Sequence, residues 1–163
     1  MSAAFHVLFI CTGNICRSPT AHGVFRQRVR DAGLDADVRV DSAGTHGYHV
    51  GDAPDSRSQA HARARGYELA DLRARQMAAA DFLQADLLLV MDDHNLSAAQ
   101  GRCPAEHRHK LRRFTEFCRV HRRRSVPDPY YGGADGFEHV LDLVEDGCDG
   151  LLAHVRSELT RRA

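Results

Sequence analysis

The first pattern along the chain is a short apolar run at its start. FHVLFI, Phe5 to Ile10, is rich in aromatic and β-branched residues and is apolar on both alternating sets of positions. Such a run predicts a strand buried on both faces, as in a parallel sheet. The turn CTGN follows, and RSPTAHGVFRQRVRDAGL then changes to helical spacing. Ala21, Val24, Phe25 and Val29 share one face, Ser18 before Pro19 suits a first turn, and Gly33 suits the stop. VRVDSAGT predicts a second strand and turn, and HGYHVGDAPD an exposed loop. Asp55 or Ser56 is placed to cap a helix running to Gly66. Asp86 to Met91 is the clearest later strand, HNLSAAQ a short helix and HKLRRF a weaker strand. After the polar stretch HRRRSVPDPYYGG, one long helix is predicted. Its apolar residues, Val140, Leu141, Val144, Cys148, Leu151, Leu152, Val155 and Leu159, recur at three and four, and Gly147 and Gly150 are its weak points. Strands alternating with helices predict an α/β fold. We expect a single three-layer domain over residues 1–163, with a central, mostly parallel four-stranded sheet flanked by helices.

Composition narrows the function classes. Lys plus Arg and Asp plus Glu are 22 each, so the formal net charge is zero. That argues against a surface built throughout for nucleic acid or anionic membrane. The apolar runs are too short to cross a membrane, and MSAAFHVLFICTG lacks the basic flank and long apolar core of a leader. The five cysteines, Cys11, Cys16, Cys103, Cys118 and Cys148, are odd in number and scattered. They do not make a secreted disulfide framework, which sets a reducing cytoplasm as the expected compartment.

The chemistry concentrates where the first strand ends. Cys11 closes the strand, Gly13 permits an unusual turn, and a helix begins near Ser18. Ligands of open α/β sheets bind outside the carboxyl ends of the strands. Consecutive N–H groups in such a turn form an anion nest beside a helix N-terminus, and Arg17 adds a planar, permanently charged fork. CTGNICRS lacks the lysine and the glycine pattern of a Walker loop. It has instead a sulfur ringed by donors, a setting that favours thiolate and covalent phosphoryl transfer.

Cysteine, five residues, arginine, within LFICTGNICRSP near the N-terminus, resembles the low-molecular-weight protein tyrosine phosphatases. DSAGT, ARQ followed by DFLQADLLLVMD, and DPYYGG match the same family in the same order, so the resemblance runs from Val7 into the last helix. It implies hydrolysis of protein phosphotyrosine through a cysteinyl-phosphate, with Cys11 as nucleophile, Arg17 as phosphate ligand and Asp128 as general acid, then base. It implies that Thr12, Gly13, Asn14, Ile15, Cys16 and Ser18 form and support the phosphate loop. Asn14 would hold the loop's shape, Ser18 would donate to the Cys11 sulfur, and Ser42 would be a supporting partner. Tyr130 and Tyr131 would line the cleft wall, with Tyr48 and His49 at its rim. Cys16 would be a possible redox partner of Cys11, closing a reversible disulfide that guards it. The chain departs from many relatives in having Leu72 where a histidine precedes RARQ, and Pro127 before the acid.

Two readings on the same fold stand beside this one. A thioredoxin-coupled arsenate reductase needs further cysteines in mid-chain, and none occurs between Cys16 and Cys103. A protein arginine phosphatase carries threonine after the loop asparagine, where this chain has Ile15, whose apolar branch suits a phenyl ring. A catalytically silent phosphate-binding protein is the reading of another class. No cofactor and no metal are expected: Cys103, His107 and His109 cluster without a zinc signature. The implied partner is a phosphotyrosine-containing protein, a tyrosine kinase among the candidates, with no nucleic acid, no integral membrane segment and a monomeric state. A bacterial source fits, with export to a host by another route as the alternative to the cytoplasm. The basic run Arg122, Arg123 and Arg124 is either a solvated face or an attractor of acidic substrates.

Overall fold

A computed structural model of the protein describes residues 4–163; residues 1–3, part of the stretch read for a leader, lie outside the described residues. Strand β1 (Phe5–Cys11) leads into α1 (Arg17–Asp31), β2 (Val38–Gly44) and α2 (Ser56–Ala64). Then come α3 (Ala79–Gln84), β3 (Leu87–Val90), α4 (Asp93–Arg102), β4 (Leu111–Arg113) and α5 (Ala134–Arg162). Short 3₁₀ turns, Ala105–Lys110 and Phe114–Phe117, flank β4. The strands lie in the order β2-β1-β3-β4, and every neighbouring pair is parallel.

All seven residues of β1 are buried because the sheet is covered on both faces. Side chains alternate along a strand, so Val7, Phe9 and Cys11 face α1 and α5, whereas Leu8 and Ile10 face Phe82 of α3 and Ala99 of α4. This alternation assigns the Cys11 side chain to the α1 face, at the carboxyl end of the central strand. There the chain departs for β2 on one side and meets β3 on the other, a switch point of the kind that holds ligands in open sheets.

Four local structures differ from the sequence-based expectation. Helix α3 is one and a half turns long, too short to show periodicity, and is capped by Asp81, which accepts the Ala78 N–H at 2.7 Å. The two 3₁₀ turns, of six and four residues, are likewise too short to show a period. Helix α4 is longer than HNLSAAQ, because Asp92 caps it by accepting the Asn95 N–H at 2.8 Å.

Gly147 and Gly150 do not interrupt α5. They are where the Phe114–Phe117 turn presses against it. A Cβ at Gly147 would overlap the Phe114 ring, and one at Gly150 the Phe117 carbonyl oxygen. Alanine would gain about 1 kcal/mol of helix propensity, but overpacking against fixed backbone costs roughly 1–3 kcal/mol. Gly150→Ala is therefore expected to lower the melting temperature in a thermal unfolding scan. An unchanged or raised value would show that the turn yields.

Candidate active site

The loop between β1 and α1 is fastened to its surroundings by main chain. Cys11 and Thr12 carbonyls accept the N–H groups of Thr45 and His46 at 2.8 and 3.0 Å, and the Ile15 carbonyl accepts that of Asp55 at 2.8 Å. Gly44 makes this approach possible, since a Cβ there would lie 2.7 Å from the Thr12 carbonyl oxygen. Asn14 has φ of 60°, the left-handed region that asparagine tolerates better than most residues. Its amide fixes the turn from both ends: Nδ2 donates to Ser18 Oγ at 2.7 Å, and Oδ1 accepts the Arg75 N–H at 3.0 Å. Arg75 is itself locked between Asp41 and Asp81 by ion pairs of 2.8 and 2.9 Å.

The geometry sets the direction of the hydroxyl on Ser18. Its oxygen already accepts from Asn14, so its own proton is free to donate. Cys11 Sγ lies 2.9 Å away and the Ala43 carbonyl 3.5 Å, and the nearer sulfur is the better acceptor site. Ser42, the supporting partner that the resemblance implies, pairs through its Oγ with His22 Nδ1 at 2.9 Å. Burial, reinforced by Arg26, pushes His22 down to about 4, so that it serves as a neutral strut at physiological pH. Leu72 packs against the hydrophobic core, and polar support from that segment reaches the loop through the Arg75 amide instead.

Arg17 is buried along its length, and its guanidinium is held from three sides. Nη1 donates to Asp92 Oδ2 at 2.6 Å and to the Val126 carbonyl at 3.1 Å, and Nη2 donates to Thr12 Oγ1 at 3.3 Å. Burial works against its charge, but Cys11 and Asp92 outweigh burial and shift the guanidinium above its ordinary range. Asp92 and Asn95 were not singled out from the sequence. Asp92 combines the α4 cap with the grip on Arg17, and Asn95 Nδ2 donates to Thr12 Oγ1 at 3.2 Å. An aspartate closing a strand, three residues before asparagine at a helix start, was the available signal.

Asp128 sits half exposed at the mouth, with Oδ2 3.7 Å from Arg17 Nη2 and Oδ1 accepting the Tyr130 N–H at 3.0 Å. The acid loop is anchored just before Pro127: Val126 is fully buried, its N–H donates to the Met91 carbonyl at 2.8 Å, and its own carbonyl receives Arg17. Arg57 at the start of α2 holds the other side, donating to the Tyr130 carbonyl at 3.0 Å with its guanidinium over the Tyr130 and Phe137 rings. It too was missed, because nothing in the sequence ties α2 to a segment over seventy residues away.

These parts enclose a cleft of about 300 Å³. Cys11, Thr12, Gly13, Ile15, Cys16 and Arg17 form its floor, with Asp128, Tyr130, Tyr131, Tyr48 and His49 around it, while Asn14, Ser18 and Ser42 lie beneath. Tyr48 is stacked on His46, and Tyr130 meets Tyr131 edge to face. A second hollow on the other side of Arg17 shares Thr12, Arg17 and Asp128 and adds His46, His94 and Asn95. Cys16 is a free thiol, as is Cys11, and burial pushes it up to about 12, so it remains protonated. Among the described residues no group of three or more His, Cys, Asp or Glu side chains is placed to hold a metal ion, and no helix is long and apolar enough to cross a membrane.

Comparison with known proteins agrees with this geometry. The family model for low molecular weight phosphotyrosine protein phosphatases matches residues 6–161. A low molecular weight protein-tyrosine-phosphatase of Streptomyces coelicolor is 45% identical over 162 residues, covering 98% of both chains. The crystal structure of a protein tyrosine phosphatase from Entamoeba histolytica, with Hepes in its active site, superposes with a TM-score of 0.92 at 37% identity, over 95% of this chain and 99% of that one. YfkJ from Bacillus subtilis superposes at 0.90 with 33% identity, over 96% and 98%. The chain belongs to the low-molecular-weight phosphotyrosine protein phosphatase family.

Proposed function

We propose that this cleft hydrolyses protein phosphotyrosine in two displacements at phosphorus, with Cys11 as the nucleophile. The observation that carries the reading is the junction of three groups at one floor. Cys11 Sγ is backed by Ser18 Oγ at 2.9 Å, Arg17 is pinned beside it, and Asp128 stands over both at the mouth. In the first step the Cys11 sulfur bonds to phosphorus as the bond to the phenolic oxygen breaks. Asp128 gives its proton to that oxygen, so tyrosine leaves neutral. In the second step water attacks phosphorus, Asp128 takes a proton from it, and the S–P bond breaks to return the thiolate and release phosphate. Arg17 and the loop N–H groups hold the equatorial oxygens while charge redistributes. The Ser18 hydroxyl stabilises sulfur both as attacking and as leaving group.

The walls favour an aryl substrate. Ile15 and the tyrosines at positions 48, 130 and 131 offer apolar and aromatic surface to a phenyl ring, and none of the remaining cysteines, Cys103, Cys118 and Cys148, lines the cleft to resolve an arsenylated Cys11. A tyrosine kinase bearing its own phosphotyrosine is one protein of the proposed substrate class.

Asp128→Ala tests the acid. General acid–base help is worth roughly 10²–10⁴-fold, and it matters most when the leaving group is a poor one. The variant is expected to lose turnover across that range on phenyl phosphate and phosphotyrosine, and much less on p-nitrophenyl phosphate. An equal loss on all three would assign Asp128 to loop structure and not to proton transfer.

A further inference from the structure

The turn between the Phe114–Phe117 segment and the acid loop is exposed, strongly basic and yet tightly fastened. The N–H groups of Arg119, Val120 and His121 all donate to the Asp146 carboxylate of α5, at 2.9, 3.0 and 2.7 Å. Burial disfavours that carboxylate's charge, but the three amides outweigh it and hold the group below the usual carboxylate range. At the far end the Thr115 hydroxyl donates to the Arg124 carbonyl at 2.9 Å. With the backbone pinned inward, the side chains of Arg119, Val120, Arg122 and Arg123 are left facing solvent, and Val120 is 78% exposed. Among the described residues these three arginines have no carboxylate partner, whereas Arg124 is committed to Asp93, which it shares with Arg113.

The charge is segregated as well as exposed. Between Arg102 and Arg124 nine lysines and arginines face two glutamates, although the whole chain is neutral at 22 of each sign. Like charges crowded on one edge repel each other, and a solvated surface needs no such crowding. Two residues beyond Arg124 the chain reaches Val126, which receives Arg17, and two further on Asp128. None of the patch residues lines the cleft itself, but the chain joins the patch to the acid loop within a few residues.

We infer that Arg119, Val120, Arg122 and Arg123 form a docking surface for an acidic segment flanking the phosphotyrosine of a protein substrate, an inference that rests on the phosphatase reading above. Chain reach limits the distance. Arg123 and Arg119 are five and nine residues from Asp128, at most about 17 and 31 Å of extended chain, so aspartate or glutamate within about five positions of the phosphotyrosine is in range of Arg123 and within about nine of Arg119. Val120 supplies an apolar contact beside the charges. The segment from Arg119 to Arg123 has no Phe, Tyr or Trp on which bases could stack, which favours an acidic peptide over single-stranded nucleic acid.

The test is the triple variant R119A/R122A/R123A, all at exposed positions outside the catalytic machinery. Wild type and variant are compared on p-nitrophenyl phosphate, on a phosphotyrosine peptide with acidic residues within five positions, and on its neutral counterpart. Three exposed ion pairs are lost together, so KM for the acidic peptide is expected to rise about tenfold. Its dependence on salt should flatten, with kcat and both parameters for the aryl phosphate unchanged. Equal effects on acidic and neutral peptides, or an unchanged KM for the acidic one, would overturn the inference. So would loss of binding to phosphatidylserine vesicles without any change in peptide KM, since that would make the patch a membrane contact. A wild type that turns over none of the three substrates would remove the phosphatase reading, and the docking inference with it.

Discussion

Cys11→Ser is expected to reduce turnover of every phosphomonoester by at least about 10⁴-fold, as loss of a covalent nucleophile does elsewhere, while phosphate binding survives. The serine oxygen is smaller than sulfur, sits further from phosphorus and remains a hydroxyl, so the proton that Ser18 donates has no anion to stabilise. The binding groups are untouched, because Arg17 is fixed by Asp92, Val126 and Thr12 and the turn by Asn14. Steady-state kinetics with p-nitrophenyl phosphate and calorimetric titration with inorganic phosphate separate the two effects. Cys16→Ser is the internal control. Burial keeps that thiol protonated up to about 12, so it is expected to leave kcat close to wild type. A highly active Cys11→Ser enzyme would refute the assignment of the nucleophile.

Arg17→Lys is expected to lower kcat by roughly 10²–10³-fold, the range seen when one oxyanion donor is removed, although the charge is kept. A lysine ammonium can still pair with Asp92. It cannot at the same time reach the Val126 carbonyl and Thr12 Oγ1 and still offer a planar fork to two phosphate oxygens. Kinetics on p-nitrophenyl phosphate decide the matter: near-normal kcat would mean that the charge alone suffices and that the three-sided grip on Arg17 has no bearing on the chemistry.

The parts of this molecule legible in the sequence are those whose signal is local. The apolar run to Ile10, the long three-and-four spacing of α5, and the Asp55 cap each lie within one stretch of chain, and each element stands where that stretch predicts. The phosphate loop was legible for the same reason, since cysteine, turn, arginine and helix start occupy consecutive residues. What escaped was contact made by tertiary packing. Gly147 and Gly150 read as weak points of a helix, and only the Phe114–Phe117 turn lying on them shows why a side chain has no room there. Asp92 and Arg57 reach their partners across 75 and 73 residues, distances at which spacing carries no information. The Ser42 hydroxyl meets His22, a residue that the helical pattern marks only as polar. Arg124 belonged to one basic run by sequence, yet its guanidinium is bound to Asp93 and separates it from Arg122 and Arg123.

The central claim is that the phosphoryl group passes through the Cys11 sulfur. Rapid acid quench of the wild-type enzyme during turnover of a phosphotyrosine peptide, followed by fragmentation mass spectrometry of the peptide holding both Cys11 and Cys16, tests it most directly. The account predicts a phosphoryl group on Cys11 alone, absent from Cys11→Ser. Phosphate found on Cys16 or on Asp128, or full turnover with no phosphocysteine at any quench time, would contradict it.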